Sequence, residues 1–261
     1  MHLRVVSLNC WDGGTLWEQL IEFLKSQNAD IVFLQEIYHT QNPEITNRCH
    51  RSYTTLSDEL DFPYAHFASA FNEPSAGHQV EQGNAVFSLL PLEPKLTTFF
   101  DIPYGVRPPG TENFTQTPRN LQHVVAELPA INSSQPPAHL HLFNTQGIWG
   151  LDGGDNERRL QMADTIIEQL ASVPEDDQII LAGDFNVRPD TKTVAKLEKR
   201  VTNVFKDQLK SSFNMRRKSD PGYASAVVDM VFVSPDIQVT KAVCPNVDIS
   251  DHLPLVVEVE V

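Results

Sequence analysis

Short apolar runs alternate with amphipathic stretches along this chain, and their periods predict both strands and helices. Residues 3–8 (LRVVSL) form a β-branched run of strand length. Asn9-Cys10-Trp11-Asp12-Gly13-Gly14 then read as a turn, and Thr15-x-x-Glu18 as a capping box that opens a helix. Leu16, Leu20, Phe23 and Leu24 recur at helical spacing and predict its buried face. Residues 31–35 form a second buried strand with Glu36 at its C-terminal end. Beyond a mixed stretch with a short helix over 52–60, residues 63–71 read as extended. Gln82-Gly83-Asn84 punctuates the chain before a strand over 85–90. Prolines at 103, 108, 109 and 118 argue against regular structure between Pro91 and Pro118, and long irregular loops are often functional.

Strands over 121–128 and 139–145 flank a Pro/Ser connection, Pro129 to Pro137. Residues 155–170 form the clearest helix, with Leu160, Ala163, Ile167 and Leu170 on one side. A buried strand over 178–182 runs into Gly183-Asp184-Phe185-Asn186. Helical material fills 191–210, and strands follow at 227–233, 237–243 and 253–261. Strands interspersed with helices predict an α/β fold. Several strands succeed one another without a helix between them, so antiparallel pairing is required and a purely parallel sheet is disfavoured. The chain shows no internal repeat and no linker that would separate two domains, so a single domain over 1–261 is expected.

Composition changes this picture little. The 261 residues are 41% hydrophobic and 21% charged, as in ordinary globular proteins. No apolar run approaches the ~20 residues that span a bilayer, and residues 1–10 are too short and strand-like for a signal peptide. A cytoplasmic protein without stable membrane association, acting as a monomer, is the expectation. Cys10, Cys49 and Cys244 lack metal-type spacing and do not form a disulfide framework. Charge matters more. The net charge of −14 opposes binding of nucleic acid, yet ten Lys/Arg against three Asp/Glu between Arg188 and Lys218 make that segment +7. It is either a solvated basic face or a patch that receives a phosphate-bearing substrate.

The candidate chemistry lies at strand ends. Asn9, Glu36, Asp184 with Asn186, and Asp251 with His252 each stand at or just past a strand. Strand ends converge at one edge of a sheet, and carboxylate and amide oxygens suit a hard cation such as Mg²⁺. Each alone has a bland reading: a turn residue, a surface ion pair or a cap. In order they are far more specific. Ser7-Leu8-Asn9, Leu34-Gln35-Glu36, Gly183-Asp184-Phe185-Asn186, the run from Val228-Asp229 to Val233 and Ser250-Asp251-His252 together resemble the endonuclease/exonuclease/phosphatase superfamily. Gly83-Asn84-Ala85-Val86-Phe87-Ser88 and Glu157-Arg158-Arg159-Leu160-Gln161 add to the match.

The resemblance implies a deoxyribonuclease I-like fold, a four-layer α/β/β/α sandwich of two mixed, largely antiparallel sheets flanked by helices. It implies a metal-dependent hydrolase acting on phosphoric esters. Glu36 is then the principal ligand of Mg²⁺ (or Mn²⁺), with Asn9 and Asp251 beside it. Asp184 activates the attacking water, Asn186 donates to a phosphate oxygen, and His252, held by Asp229, stabilises developing charge. Gln146 is a departure, because many members carry a histidine there and glutamine cannot transfer a proton. Asn84, Arg119, Trp11 and Trp149 are candidate substrate contacts. The glycine-rich stretch from Gly147 to Gly154 approaches substrate or serves as a flexible connection. His39, His50, His66, His78 and His123 show no zinc-type spacing, and Cys10 has no partner that would make it a nucleophile.

Nucleic acid, damaged or single-stranded DNA above all, is the favoured substrate class, with DNA repair as its setting. A phospholipid (sphingomyelinase-like) or inositol-phosphate phosphoesterase is the alternative, since residues 9–14 look somewhat like the opening of sphingomyelinase-type members. A binding module weakened in catalysis by Gln146 is the second alternative.

Overall fold

The computed structural model describes residues 1–73, 80–107, 114–130, 138–218 and 226–261. Expectations for His78, for Pro108 and Pro109, and for most of the Pro129 to Pro137 connection therefore lie outside the described residues. Twelve strands among those described form two six-stranded sheets. They are β1 (His2–Asn9), β2 (Ile31–His39), β3 (Tyr64–Glu73), β4 (Val80–Ser88), β5 (Leu92–Phe99), β6 (Asn120–Glu127), β7 (His139–Gln146), β8 (Gln178–Asp184), β9 (Thr202–Asn203), β10 (Asp229–Val233), β11 (Gln238–Val243) and β12 (Leu255–Glu260). One sheet runs β11-β12-β1-β2-β4-β3 and the other β5-β6-β7-β8-β10-β9. Only β1 with β2 and β7 with β8 pair in parallel; the other pairs are antiparallel.

The sheets pack face to face because alternate residues of each strand point to opposite sides. Val5, Phe33, Leu142, Ile180, Val231 and Val257 fill the space between the sheets. Their neighbours Val6, Val32 and Leu34 face outward, in one cluster with Trp17, Leu20, Phe23 and Leu24 of α2 (Trp17–Gln27) and Leu56 of α3 (Ser52–Glu59). On the other side, Phe143, Ile179, Leu181 and Phe232 meet Met162, Ala163, Ile166 and Leu170 of α4 (Glu157–Ala171). Both faces of the central strands are buried, so they read as continuous apolar runs rather than strict alternations. The expected four-layer α/β/β/α sandwich is the architecture observed.

Several local expectations are corrected. Thr15 and Glu18 form no capping box: α2 begins at Trp17 without a side-chain cap, and Thr15 Oγ1 donates to Trp11 O at 2.9 Å. Trp17 and Ile21 join the buried face, while Leu16 is half-buried. Gln82-Gly83-Asn84 lies inside β4 rather than before it. There a Cβ on Gly83 would lie 2.1 Å from Ala68 O, so glycine permits the close approach of β3. β5 crosses the stretch read as irregular. Pro94 is tolerated because β5 is an edge strand and its register shifts between Pro94 and Leu96. Along α4 the buried face centres on Met162 and Ile166, leaving Leu160 and Ile167 half-buried, and it includes the fully buried Arg159. Between 191 and 210 only α5 (Lys192–Leu197) is helical; turns and the short β9 follow.

Candidate active site

The site stands where one end of each sheet comes together. From the first sheet come Asn9 at the end of β1, Glu36 within β2, and Asp251-His252 just before β12. From the second come Arg119 just before β6, Gln146 and Asp184 at the ends of β7 and β8, and Asp229 at the start of β10. Register aligns the last three: Gln146 pairs with Asp184, and Asp184 with Asp229.

Glu36 is not at the end of its strand, as the apolar run suggested. β2 continues to His39, and Glu36 sits at φ 58° where the register with β4 shifts between Leu34 and Ile37. A bulge with a left-handed residue turns a side chain out of the pleat, here into the cleft. The turn after β1, α1 (Trp11–Gly14), also has positive φ at Trp11, Asp12 and both glycines, and it brings Asp12 N to donate to Glu36 Oε2 at 2.9 Å.

One amide ties the two sheets together. Asn9 Nδ2 donates to Glu36 Oε1 at 3.0 Å and to Asp184 Oδ2 at 3.1 Å, while Asn9 Oδ1 accepts from Trp11 N. Asn186 N donates to Asp184 Oδ1 at 3.0 Å. His252 Nδ1 donates to Asp229 Oδ2 at 2.8 Å, which orients the ring and leaves Nε2 for the cleft. Asp251 pairs with Lys218 Nζ at 2.6 Å. Gln146 Nε2 donates to Glu36 Oε1 at 2.7 Å, and Gln146 Oε1 accepts from the Arg119 guanidinium. Arginine has no acceptor, so this pairing dictates which way the amide points.

These neighbours set the protonation states. Burial acts to raise Glu36, but the Asp12 amide, the Asn9 side chain and the charges of Arg119 and His252 outweigh it and hold Glu36 below its ordinary value. Burial also acts on Asp184, opposed by the His252 charge and reinforced by Asp229, and it pushes Asp184 up to about 6. For His252, burial would lower the imidazolium; the Asp229 charge and hydrogen bond, with Asp251 and Asp184, instead raise it to about 10. Asp12 is pushed up to about 6 by desolvation first and the Glu36 charge second. Burial pushes the Cys10 thiol well up, so the cysteine beside Asn9 is inert.

These residues line a cleft of about 190 Å³. Of the expected site residues, Glu36, Asp184, Asn186, Asp251, His252, Gln146, Arg119, Trp11 and Trp149 line it. Asn9 and Asp229 stand behind them, bonded to the lining groups. Asn84 is not in the cleft. It donates to Asn120 Oδ1 at 2.9 Å, within a buried polar layer that includes Gln35, Gln122 and Asn144. Asn144 Nδ2 bridges Leu34 O and Ala85 O of the opposite sheet at 3.0 Å. This layer joins the two sheets by hydrogen bonds, which is why a polar residue occurs there without touching solvent.

Lining residues that sequence reasoning missed are Asp12, Tyr38, Phe71, Gln82, Arg107, Phe114, Thr117, Phe213 and Lys218. Arg107, Phe114 and Thr117 belong to the proline-rich stretch, whose length hinted at function without pointing to a residue. Of the basic residues of the +7 segment, Lys218 alone lines the cleft; Arg188, Lys196, Lys206 and Arg217 pair with nearby carboxylates, as a solvated face would.

The set suits a hard divalent cation. Glu36, Asp251 and Asp184 offer oxygen donors within one cleft. Asp184, Asp229 and His252 form a further group able to hold an ion, with ligand atoms within 4.8 Å of one another. No helix among the described residues is long and apolar enough to cross a membrane.

Residues 6–252 match the model of the Endonuclease/Exonuclease/phosphatase family. The chain belongs to this family. It is a phosphoesterase-type hydrolase on that ground, and its solved relatives carry the same fold. A family protein from Bacteroides vulgatus superposes with a TM-score of 0.71 at 17% identity, covering 100% of this chain and 99% of the other. The mannosyl-6-phosphatase of Bacteroides thetaiotaomicron gives 0.68 at 15%, covering 99% and 100%. D. rerio TDP2 complexed with a single strand DNA product gives 0.65 at 16%, covering 100% and 99%. No curated protein matches this chain by sequence.

Proposed function

We propose that this family member is a Mg²⁺-dependent hydrolase that cleaves a phosphodiester of nucleic acid, reached at a chain end or in a single strand. The observation that carries the reading is the Asn9 amide held between Glu36 and Asp184. It places a carboxylate kept ionised beside one poised near neutrality. Two carboxyl groups pushed apart in this way divide the roles of cation ligand and proton acceptor.

Asp184 accepts the proton of a water positioned with Asn186 for in-line attack on phosphorus. His252 stays charged at neutral pH and, through Nε2, stabilises the charge that grows on the non-bridging oxygens. Asp229 orients its ring. Glu36, with Asp251 and Asn9, would hold Mg²⁺ or Mn²⁺, whose contribution when bound is charge neutralisation at the phosphate and at the leaving oxygen. Arg119 and Gln146 add donors on the phosphate side. The bounded cleft favours a chain end over the middle of a duplex, and so does the pairing of Arg188, Lys196, Lys206 and Arg217 with nearby carboxylates. The aromatic rings at the cleft, Trp11, Trp149 and Phe114, favour a base over a lipid tail.

A second reading, a phosphomonoesterase for a small phosphate ester, is favoured by the same enclosure, and the sugar phosphatase named among the relatives fits it. A panel assay with Mg²⁺, Mn²⁺ or chelator decides. Its substrates are abasic duplex, single-stranded DNA, RNA, sphingomyelin, inositol phosphates, mannose 6-phosphate and a chromogenic diester. Metal-dependent cleavage of DNA is expected. Absence of metal-dependent turnover on every substrate would overturn the enzyme reading and leave the binding-module alternative, and preference for a monoester would select the second reading.

A further inference from the structure

The cleft contains a group of side chains that the hydrolytic machinery does not use. Trp149 and Phe114 meet edge to face with ring centroids 5.8 Å apart. The Arg107 guanidinium lies 6.0 Å from the Phe114 ring and 5.8 Å from that of Phe71, and it is fixed by the buried Glu73 at 2.5 Å. Ordinary packing does not account for the arrangement, because Phe114 remains 45% exposed and Trp149 half-buried. We propose that Trp149, Phe114 and Arg107 form a specificity subsite for a flat, unsaturated ring carried by the phosphate ester. This rests on the phosphoesterase reading and narrows its substrate class. An aromatic face and edge beside a guanidinium recognise a planar π-system by stacking and cation–π attraction.

The scaffold beneath these rings supports the assignment. Two consecutive arginines at the start of α4 hold the two strips of chain that carry them. Arg159, fully buried, donates to Ile148 O at 3.0 Å, Gly150 O at 3.3 Å and Gly154 O at 2.6 Å, bracketing Trp149. A Cβ on Gly150 would lie 2.8 Å from the Arg159 guanidinium, so the loop is shaped around it. Arg158 donates to Thr115 O at 2.6 Å, beside Phe114, and to Asp101. Burying a guanidinium is costly unless its donors are satisfied. Those of Arg159 are met by three loop carbonyls and by Asp152 Oδ1 at 3.2 Å, which orders a loop that has no ladder of its own. Arg158 and Arg159 are thus positioning residues for the subsite.

The ring has two possible sources, a nucleobase or a phenol. Binding of thymidine 5′-monophosphate, phenyl phosphate, mannose 6-phosphate and glycerol 3-phosphate to the full chain, measured calorimetrically in chelator, separates the cases without turnover. One or both ringed ligands are expected to bind roughly ten-fold more tightly than glycerol 3-phosphate, the scale of a single stacking contact. The tighter of the two identifies the source. Trp149→Ala and Phe114→Ala should bring that ratio toward one, Trp149→Phe should retain most of it, and Arg159→Lys should lower it while the thermal transition remains cooperative. Equal affinities in the parent protein, mannose 6-phosphate binding as tightly as the ringed ligands, or a ratio unchanged in Trp149→Ala would overturn the subsite. The panel assay tests the hydrolytic reading separately, since a ring preference measured in chelator does not depend on turnover.

Discussion

The two sheets are built around the same unit and use it differently. In the first, β1, α2 and β2 form a parallel pair at the third and fourth positions of the sheet; in the second, β7, α4 and β8 occupy the same positions. Each unit delivers a carboxylate, Glu36 or Asp184, near the end of its second strand. No repeat is visible in the sequence; the likeness is topological. The difference lies in the neighbours. Glu36 is met by donors and cations: the Asp12 amide, Asn9, Gln146 and Arg119. Burial and the Asp229 charge, opposed by His252, push Asp184 up to about 6. An equivalent topological address thus yields one carboxylate suited to a cation and another suited to a proton. The fold places the groups, and the second layer of side chains decides their chemistry.

Removing each carboxyl charge in turn tests this contrast most severely. Glu36→Gln and Asp184→Asn should each lower kcat by roughly 10³-fold, the scale of a lost general base or ligand. They should differ in kind. Glu36→Gln should weaken Mn²⁺ binding measured by calorimetry, whereas Asp184→Asn should bind Mn²⁺ nearly as the parent does and lose the acidic limb of its pH profile. Identical metal titrations for the two variants would mean that the two units do not divide the labour.

Gln146 belongs to the second unit but serves the first, through its bond to Glu36. Gln146→His should raise turnover on a simple phosphodiester about ten-fold, within the range that a positioned acid supplies. Unchanged or lower turnover would show that the missing proton donor does not limit the reaction. The residue would then matter as the link between Arg119 and Glu36.

Much of this was legible in the sequence, and the reason is physical. Apolar runs such as 3–8 and 31–35 report burial on both faces, so the central strands could be placed, and the polar residues that follow them, Asn9 and Glu36, stood out against those runs. Glu36 was found although its bulge was not, because a register shift depends on β4 and leaves no local signature. Asn84 was misplaced for a related reason. A polar residue in a buried inter-sheet layer has the same composition signal as one facing substrate, and only the position of Asn120 separates the two. The frequent prolines from Pro91 to Pro118 masked β5, since an edge strand tolerates a proline such as Pro94 that central strands exclude. Arg107 and Phe114 reach the cleft from a stretch without periodicity, so no pattern could have announced them.

The pH profile sharpens the comparison further. The reaction requires Asp184 deprotonated and His252 protonated. kcat/KM should therefore fall as pH drops through about 6 and fall again as pH rises through about 10. A bound cation favours the carboxylate and should move the acidic limb below 6. Asp229→Asn removes the main charge that keeps His252 protonated, so the alkaline limb should move to lower pH. The limbs belong to the coupled group rather than to single residues, so the test is the direction in which each limb moves. An alkaline limb that stays in place would place the proton that matters elsewhere than on His252.

The smallest effect separates the helices of the two units. α4 begins on Asn156, whose side chain accepts from Arg159 N at 2.9 Å, whereas α2 begins without any side-chain cap. Asn156→Ala should cost about 1 kcal/mol in urea unfolding, the usual value of a lost N-cap. Thr15→Ala should cost under about 0.5 kcal/mol, because the exposed Thr15 hydroxyl bonds Trp11 O instead of capping the helix. Equal losses would restore the capping box that the sequence suggested. The Asn156 variant carries a second consequence, since the amide it uncaps belongs to Arg159. If that arginine sets the loop around Trp149, Asn156→Ala should also weaken binding of a ringed phosphate ester more than that of glycerol 3-phosphate, and no change at Thr15 should do so.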